Sequence, residues 1–209
     1  MRLHPPGLHV YSSTMKWLLI IGAGLCIGLL AAGCQSTRAG YETVPYRVLR
    51  ADGNFELRDY PALLVVETTM ASDGGDDGSF LRLFRFISGA NTGKQKIAMT
   101  TPVFMAGRPS SRTMAFVLPE KFNNGEAPKP VDSAVGLREL PAARFAVLRF
   151  SGNRDAKKEG KALALLRARM ETEGLVATAP EPVFAYFDPP WTPSFLRRNE
   201  VMLRAGEKP

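Results

Sequence analysis

The chain has 209 residues, of which 27 are basic and 20 acidic, with two histidines and two cysteines. Both histidines and Cys26 lie within the first 33 residues, so the remainder has one cysteine and no imidazole. This composition excludes from the remainder an internal disulfide, a metal site of histidine and cysteine ligands, and nucleophilic catalysis that depends on histidine.

The first predicted element is a secretory signal. Met15 and Lys16 precede the apolar run WLLIIGAGLCIGLL, which ends in small residues, and this order is typical of a signal peptide. The residues LLAAGC resemble a bacterial lipoprotein signal, in which the chain is cleaved on the N-terminal side of a cysteine and that cysteine is acylated. We therefore predict a signal peptide over 1–33, lipidation of Cys34 and a tether over 34–40. An ordinary secretory signal with an incidental cysteine is the alternative.

Further expectations about the start, location and charge of the chain follow from this signal. Residues 1–14 precede a complete signal, so we expect synthesis to begin at Met15. The residue after Cys34 is Gln35 and not an aspartate. In this respect the chain resembles lipoproteins that are sent to the outer membrane of a two-membrane bacterium. We expect a monomer, lipid-anchored in the cell envelope on the periplasmic side of the outer membrane.

Without Arg2 and Lys16, the chain has 25 basic and 20 acidic residues. They are scattered, so nucleic acid is not a predicted partner.

The first half of the remaining chain predicts three strands, a helix and a strand pair. YRVLRADGNFELRDYPALLVVETTM predicts the three strands, with a turn at Asp52 and Gly53. SFLRLFRFISGAN predicts a helix. IAMTTPVFMAG and RTMAFVLPEKF predict two strands that are joined by a polar turn at 108–111. The apolar residues at i, i+3, i+4 and i+7 of the helix are Phe80, Leu83, Phe84 and Ile87.

The second half repeats the order of the first half from its second strand onward. LRDYPA, from Leu57, returns as LRELPA, from Leu137, and each leads into an apolar strand. DAKKEGKALALLRARMETEG predicts a helix with Asp155 as N-cap and Gly174 as its C-terminal stop. VFAYFD and RNEVMLR predict the last strands. The sequence therefore predicts an α+β domain of two duplicated ββ-α-ββ halves, with a cleft where the halves meet.

Three motifs resemble the SOUL haem-binding protein family. They are FRFISGAN, KIAMTTPVFM and FDPPWTPSFLRRNEV, and the similarity runs from about Tyr41 to Arg204. The resemblance implies one ligand-binding domain over 41–206, a distorted antiparallel β-barrel flanked by two helices, as in gyrase-inhibitor-like proteins. It also implies haem or a related tetrapyrrole as non-covalent ligand, in an apolar groove beside the first helix and without an axial histidine. Phe187 stands where the family usually has tyrosine.

The residues expected to form this haem slot come from the first helix and the segment after it. Arg82 and Arg85 are expected at the rim, where they would pair with the propionates, and Glu200 is expected to pair either with an arginine or with a cationic ligand. Packing is the alternative role for the apolar residues, because helical spacing and thioethers also build cores. The slot residues are Phe80, Leu83, Phe84, Ile87, Met99 and Met105.

Three functions of different classes are compatible with the sequence. The first is a lipid-anchored haem or tetrapyrrole buffer or carrier. The second is a binding module for another flat apolar ligand, and the third is a structural envelope protein with no small ligand. Enzyme activity and a bound metal centre are not predicted, because the sequence shows no paired carboxylates, lysines or tyrosines to support catalysis.

Overall fold

The computed structural model describes residues 40–71, 77–108, 111–123 and 127–208. From residue 41 onward these form one compact unit. The predicted signal peptide, Met15, Cys34 and all but the last residue of the predicted tether lie outside the described residues. Within the described ranges, twelve strands and two α-helices confirm the α+β class.

The strands are short and alternate with two helices. Helix α1 is Ser79–Ile87 and helix α2 is Ala156–Thr172. The strands are β1 (Glu42–Thr43), β2 (Arg47–Asp52), β3 (Phe55–Tyr60), β4 (Leu63–Thr69), β5 (Thr100–Thr101), β6 (Val103–Ala106), β7 (Thr113–Val117), β8 (Val135–Leu140), β9 (Ala143–Phe150), β10 (Leu175–Ala177), β11 (Val183–Tyr186) and β12 (Asn199–Glu207).

Ten strands form one antiparallel sheet in the order β2-β3-β9-β12-β11-β6-β7-β4-β8, with β10 paired to β12. In the described part of the chain β2 and β8 are not paired with each other, so the predicted closed barrel is wrong. Both strands carry charged residues, and β2 is exposed along its whole length. Charged, exposed strands are suited to sheet edges, because they discourage further pairing.

Side chains on successive strand positions point to opposite faces of this sheet. On β12, Val201 and Leu203 belong to the larger core cluster, which also contains the buried residues of both helices. Met202, between them, belongs to a second cluster without helix residues. We call these two sides the helix face and the far face.

Both helices lie on the helix face, α1 over β4 and β7 and α2 over β9, β10 and β12. Asp155 caps α2 as predicted, since its Oδ1 accepts a hydrogen bond of 2.9 Å from the backbone N–H of Lys158. Gly174, at a φ of 69°, follows the helix end as predicted. Among the described residues, neither helix has the length and apolar content required to span a bilayer.

The segment KIAMTTPVFM does not form the single strand that we expected. Ile97 to Met99 is irregular, and Pro102 separates β5 from β6. Proline has no N–H to donate to the ladder, so pairing stops at that residue. The segment brings β6 into the centre of the sheet, between β7 and β11.

Candidate functional site

Helix α1 is apolar on two sides, and only one of them packs against the sheet. The helix follows Gly78, and Asp77 accepts a hydrogen bond of 3.0 Å from the backbone N–H of Ser79. Its buried residues are Ser79, Leu83, Phe86 and Ile87. Six of its nine residues, SFLRLFRFI, are apolar, so the buried side cannot contain all of them.

The other side of α1 presents three large apolar side chains to solvent. Phe80, Leu81 and Phe84 are 45%, 46% and 45% exposed. The rings of Phe80 and Phe84 stack with centroids 6.1 Å apart and planes at 13°, and Phe80 also meets buried Phe116 edge-on at 5.2 Å. Exposed apolar side chains that lie together on one side of a helix form a candidate contact surface. We call Phe80, Leu81 and Phe84 the exposed apolar face of α1.

The structure divides the four predicted slot residues of α1 between its two sides. Phe80 and Phe84 lie on the exposed apolar face, whereas Leu83 and Ile87 are buried in the core at 0% and 5% exposure. Leu81 was not among the predicted slot residues, because a single i, i+3, i+4, i+7 pattern selects one stripe of a helix that has two.

The two predicted rim arginines occupy different environments. The Arg82 guanidinium donates to Thr68 Oγ1 at 3.1 Å and to the backbone oxygens of Thr69 and Asp77 at 2.9 and 3.3 Å, which ties α1 to the end of β4. Arg85 is exposed in the last turn, one turn after Leu81. Of the two, Arg85 is the cation that a ligand on the exposed apolar face can reach.

The two predicted methionines are also placed differently. Met105 is buried on β6 opposite Met114, and its sulfur accepts a contact of 3.4 Å from Nη1 of Arg154, a residue just before α2. Met99 is half-buried and packs against the helix-face core. Solvent therefore reaches Met99 and not Met105.

Tyr186, the nearest phenol to the closing motif, is committed to an internal network. Its hydroxyl donates to the buried carboxylate of Glu159, which also accepts a hydrogen bond of 3.1 Å from Arg112. Burial, followed by the hydrogen bond to Glu159, raises the pKa of Tyr186. The side chain thus stays a neutral phenol rather than a phenolate that would bind iron.

The buried Glu200 pairs with arginines inside the protein, as one of our two expectations stated. Arg58 donates to its two carboxylate oxygens at 2.7 and 3.0 Å, and Arg198 donates at 2.8 and 2.6 Å. Arg198 also lies over the ring of buried Phe187, 4.1 Å from its centroid. Glu200 is therefore neutralised, and Phe187 lies on the far face of the sheet, away from α1.

Among the residues that the structure describes, no group of three or more histidine, cysteine, aspartate or glutamate side chains is arranged to hold a metal ion. Glu159 and Glu200, which are both buried, each accept hydrogen bonds from arginine.

Comparison with known proteins places this fold in a family. The sequence pattern of the SOUL heme-binding protein family matches residues 41–204. The chain belongs to this family. The resemblance drawn from FRFISGAN, KIAMTTPVFM and FDPPWTPSFLRRNEV is confirmed. Human Heme-binding protein 2 is 26% identical to this SOUL chain over 167 residues, covering 75% of the chain and 80% of the relative.

Solved structures with low sequence identity share the SOUL architecture. The C-terminal domain of EcmrR superposes with a TM-score of 0.55 at 15% identity, covering 78% of this chain and 98% of that one. A hydrolase from Listeria innocua superposes with a TM-score of 0.54 at 12% identity, covering 76% of this chain and 94% of that one. At these identities the similarity establishes a common fold and transfers no activity.

Proposed function

We propose that this SOUL protein binds haem or a related tetrapyrrole on the exposed apolar face of α1, without an axial histidine. The observation that carries the proposal is the set of three exposed apolar side chains on one helix. The chain's family and its human relative support this class of ligand. The proposed activity is binding, with no catalytic step.

The shape of the surface suits a planar ligand. Phe80 and Phe84 are nearly parallel, and Leu81 extends the same side of α1. Two parallel rings offer apolar faces against which a porphyrin ring would stack, with offset contacts that aromatic systems favour. Burying these side chains beneath a ligand would remove apolar surface from water, which is the main driving force for association.

The charge beside the surface suits the propionates of haem. Arg85 is exposed and lies one helical turn from Leu81. A guanidinium forms two parallel hydrogen bonds with a carboxylate, so Arg85 would fix the orientation of one propionate. Arg82 would contribute positive charge from behind this position but keeps its hydrogen bonds to β4.

The iron of a bound haem would have few strong ligands on this surface. Both histidines of the chain are His4 and His9, outside the predicted mature protein. Met105 is buried and Met99 is half-buried, so neither thioether is freely exposed to serve as an iron ligand. We expect ring and propionate contacts, rather than iron, to supply most of the affinity.

A titration of protein beginning at Gln35 tests the proposal. Haem binding is followed by the Soret band, and iron-free protoporphyrin binding by fluorescence. Saturable binding of both at one ligand per chain with similar affinity is the expected result. Absence of saturable binding would contradict the proposed function, and binding of haem alone would contradict the proposal that the ring and propionates suffice.

We further propose that the protein acts as a monomeric buffer or carrier, held in the envelope by a lipid on Cys34. The residues LLAAGC support the anchor. Cys34→Ser should abolish the incorporation of labelled palmitate into the protein. Incorporation that is equal in this variant and in the wild type would contradict the lipid anchor and leave the binding proposal intact.

We also infer that the two halves arose by duplication. The element order β3-β4-α1-β6-β7 is followed by β8-β9-α2-β11-β12. The corresponding strands are β3 and β8, β4 and β9, β6 and β11, and β7 and β12. When each strand is replaced by its counterpart, the sheet order from β3 to β8 becomes the same order read backwards. This relation, together with the echo of LRDYPA in LRELPA, supports the inference.

A further inference from the structure

The far face of the sheet contains a cavity that the proposed haem site does not use. Its volume is about 360 Å³, within the range of small-molecule pockets. Eight strands line it, β3, β4, β6, β7, β8, β9, β11 and β12, so the open sheet curves around this space. Helix α1 packs on the opposite face and contributes nothing to the lining.

The wall of the cavity is mainly apolar and partly aromatic. Burial raises the pKa of Tyr60 to about 12, and its hydroxyl accepts a hydrogen bond of 3.1 Å from Arg58, so the phenol stays neutral. Such a lining favours the apolar body of a ligand. The principal apolar side chains are Tyr60, Leu63, Phe104, Phe145, Val183 and Met202.

Among the described residues that line the cavity, one arginine, Arg204, has no carboxylate partner. Arg138 pairs with Glu67 at 2.7 Å, and Glu181 pairs with Arg108 at 3.4 Å. Arg204 also lines the cavity, with its guanidinium 5.7 Å from the ring centre of Phe145. Within the described ranges Arg204 has no ion pair.

We propose that this cavity is a second ligand site, for a small amphipathic anion. The apolar body of the ligand lies among the aromatic and aliphatic side chains, and its acidic group pairs with Arg204. A guanidinium at an apolar wall is partly desolvated, so an anion there gains more than it would in water. Among the described residues, the one carboxylate that lines the cavity, Glu181, is already paired with Arg108, so a cation of the same shape finds no free partner there. This inference is independent of the proposed haem site, because the two surfaces lie on opposite faces of the sheet.

Two fluorescent probes with the same rings test the charge requirement in the full chain. Anilinonaphthalenesulfonate is an aromatic anion, and phenylnaphthylamine has the same rings without the sulfonate. We expect the sulfonate to bind at one per chain and about tenfold more tightly than the neutral probe, as one charge-assisted contact provides. Equal affinities, or tighter binding of the neutral probe, would overturn the proposal.

Variants locate the binding. Arg204→Gln should weaken sulfonate binding about tenfold and leave the neutral probe unchanged, whereas Arg204→Lys keeps most of the preference. Ala106→Trp, which fills the cavity, should weaken both probes. The matched control is Arg167→Gln, an exposed arginine on α2. Circular dichroism verifies that each variant is folded.

The exposed apolar face of α1 is the competing location for these probes. Phe84→Asp should leave binding of the sulfonate unchanged, and protoporphyrin should not displace it. If Phe84→Asp loses sulfonate binding while Arg204→Gln and Ala106→Trp keep it, the probe binds on α1 and the cavity site is overturned. Failure of the haem titration would not change either outcome, so the two proposals fail separately.

Discussion

Arg58 and Glu200 join two strands that are not neighbours in the sheet. Their side chains, both fully buried, form hydrogen bonds of 2.7 and 3.0 Å, and β9 lies between their strands, β3 and β12. The pair therefore crosses β9 on the far face and holds three strands in register. Burial alone would raise the pKa of Glu200, but Arg58 and Arg198 outweigh it and lower the pKa.

Removing the charge of Glu200 should destabilise the fold strongly. Glu200→Gln leaves Arg58 and Arg198 without their shared carboxylate in a buried site, and breaking such a pair costs about 3–5 kcal/mol. Urea unfolding monitored by circular dichroism measures the change. Glu139→Gln, at an exposed position on β8, is the matched control and should change the free energy of unfolding by under about 0.5 kcal/mol. A similar loss in both variants would contradict the role of the pair.

The contribution of Glu200 should depend on pH in a defined direction. Because its pKa in the folded protein lies below the ordinary value of 4.5, the unfolded chain takes up a proton first as the pH falls. The stability difference between wild type and Glu200→Gln should be constant near neutral pH and shrink as the pH falls below 4.5. Asp59, whose pKa is lowered to about 2 by the hydrogen bond from Arg144, remains in both proteins. A difference that stays constant into acid would contradict the lowered pKa.

The cap of α2 should have a separate and smaller effect. Asp155→Ala removes the acceptor for the Lys158 N–H, and loss of an N-cap costs about 1 kcal/mol. Asp155→Asn keeps a side-chain oxygen at this position and should remain within a few tenths of the wild type. Chemical unfolding of the two variants in parallel measures the difference. If Asp155→Asn is as unstable as Asp155→Ala, the charge rather than the hydrogen bond stabilises the helix.

The two arginines of α1 should differ in what their removal changes. Arg85→Glu should weaken binding of protoporphyrin about tenfold and leave its dimethyl ester unaffected, because the ester has no carboxylates to pair. Arg82→Gln should instead lower the free energy of unfolding by about 1–2 kcal/mol, since it loses the hydrogen bonds to Thr68 and Thr69. Fluorescence titration and urea unfolding distinguish these effects. Equal losses of the acid and the ester in Arg85→Glu would exclude a propionate contact.

Much of the fold was predictable from local pattern. Alternation gave β2 to β4, the turn at Asp52 and Gly53 and the strands β8 and β9, and Asp155 and Gly174 marked the ends of α2. The three-residue strand β10 was missed because three residues carry too little alternation to recognise. The open edges of the sheet were not predicted. Whether the edge strands β2 and β8 meet depends on how the whole sheet curves, and no local segment of the sequence determines that.

The candidate site was predictable only in part. Spacing placed Phe80, Leu83, Phe84 and Ile87 on one stripe, but packing on β4 and β7 buries the two that also neighbour Phe86. A helix with apolar residues on two sides gives no local signal for which side meets the sheet. The contact between Arg204 and Phe145 at the cavity joins residues far apart in sequence, so no local motif predicts it.

The central claim, a tetrapyrrole bound on the exposed apolar face of α1, is tested most directly by haem titration of Phe84→Asp. Phe84 is 45% exposed, so the variant should fold, and the matched control Leu165→Asp alters a leucine that is 53% exposed on α2. We predict that Phe84→Asp weakens haem binding at least about tenfold, whereas Leu165→Asp binds like the wild type. Equal affinity of all three proteins for haem would contradict the claim and move the site away from α1.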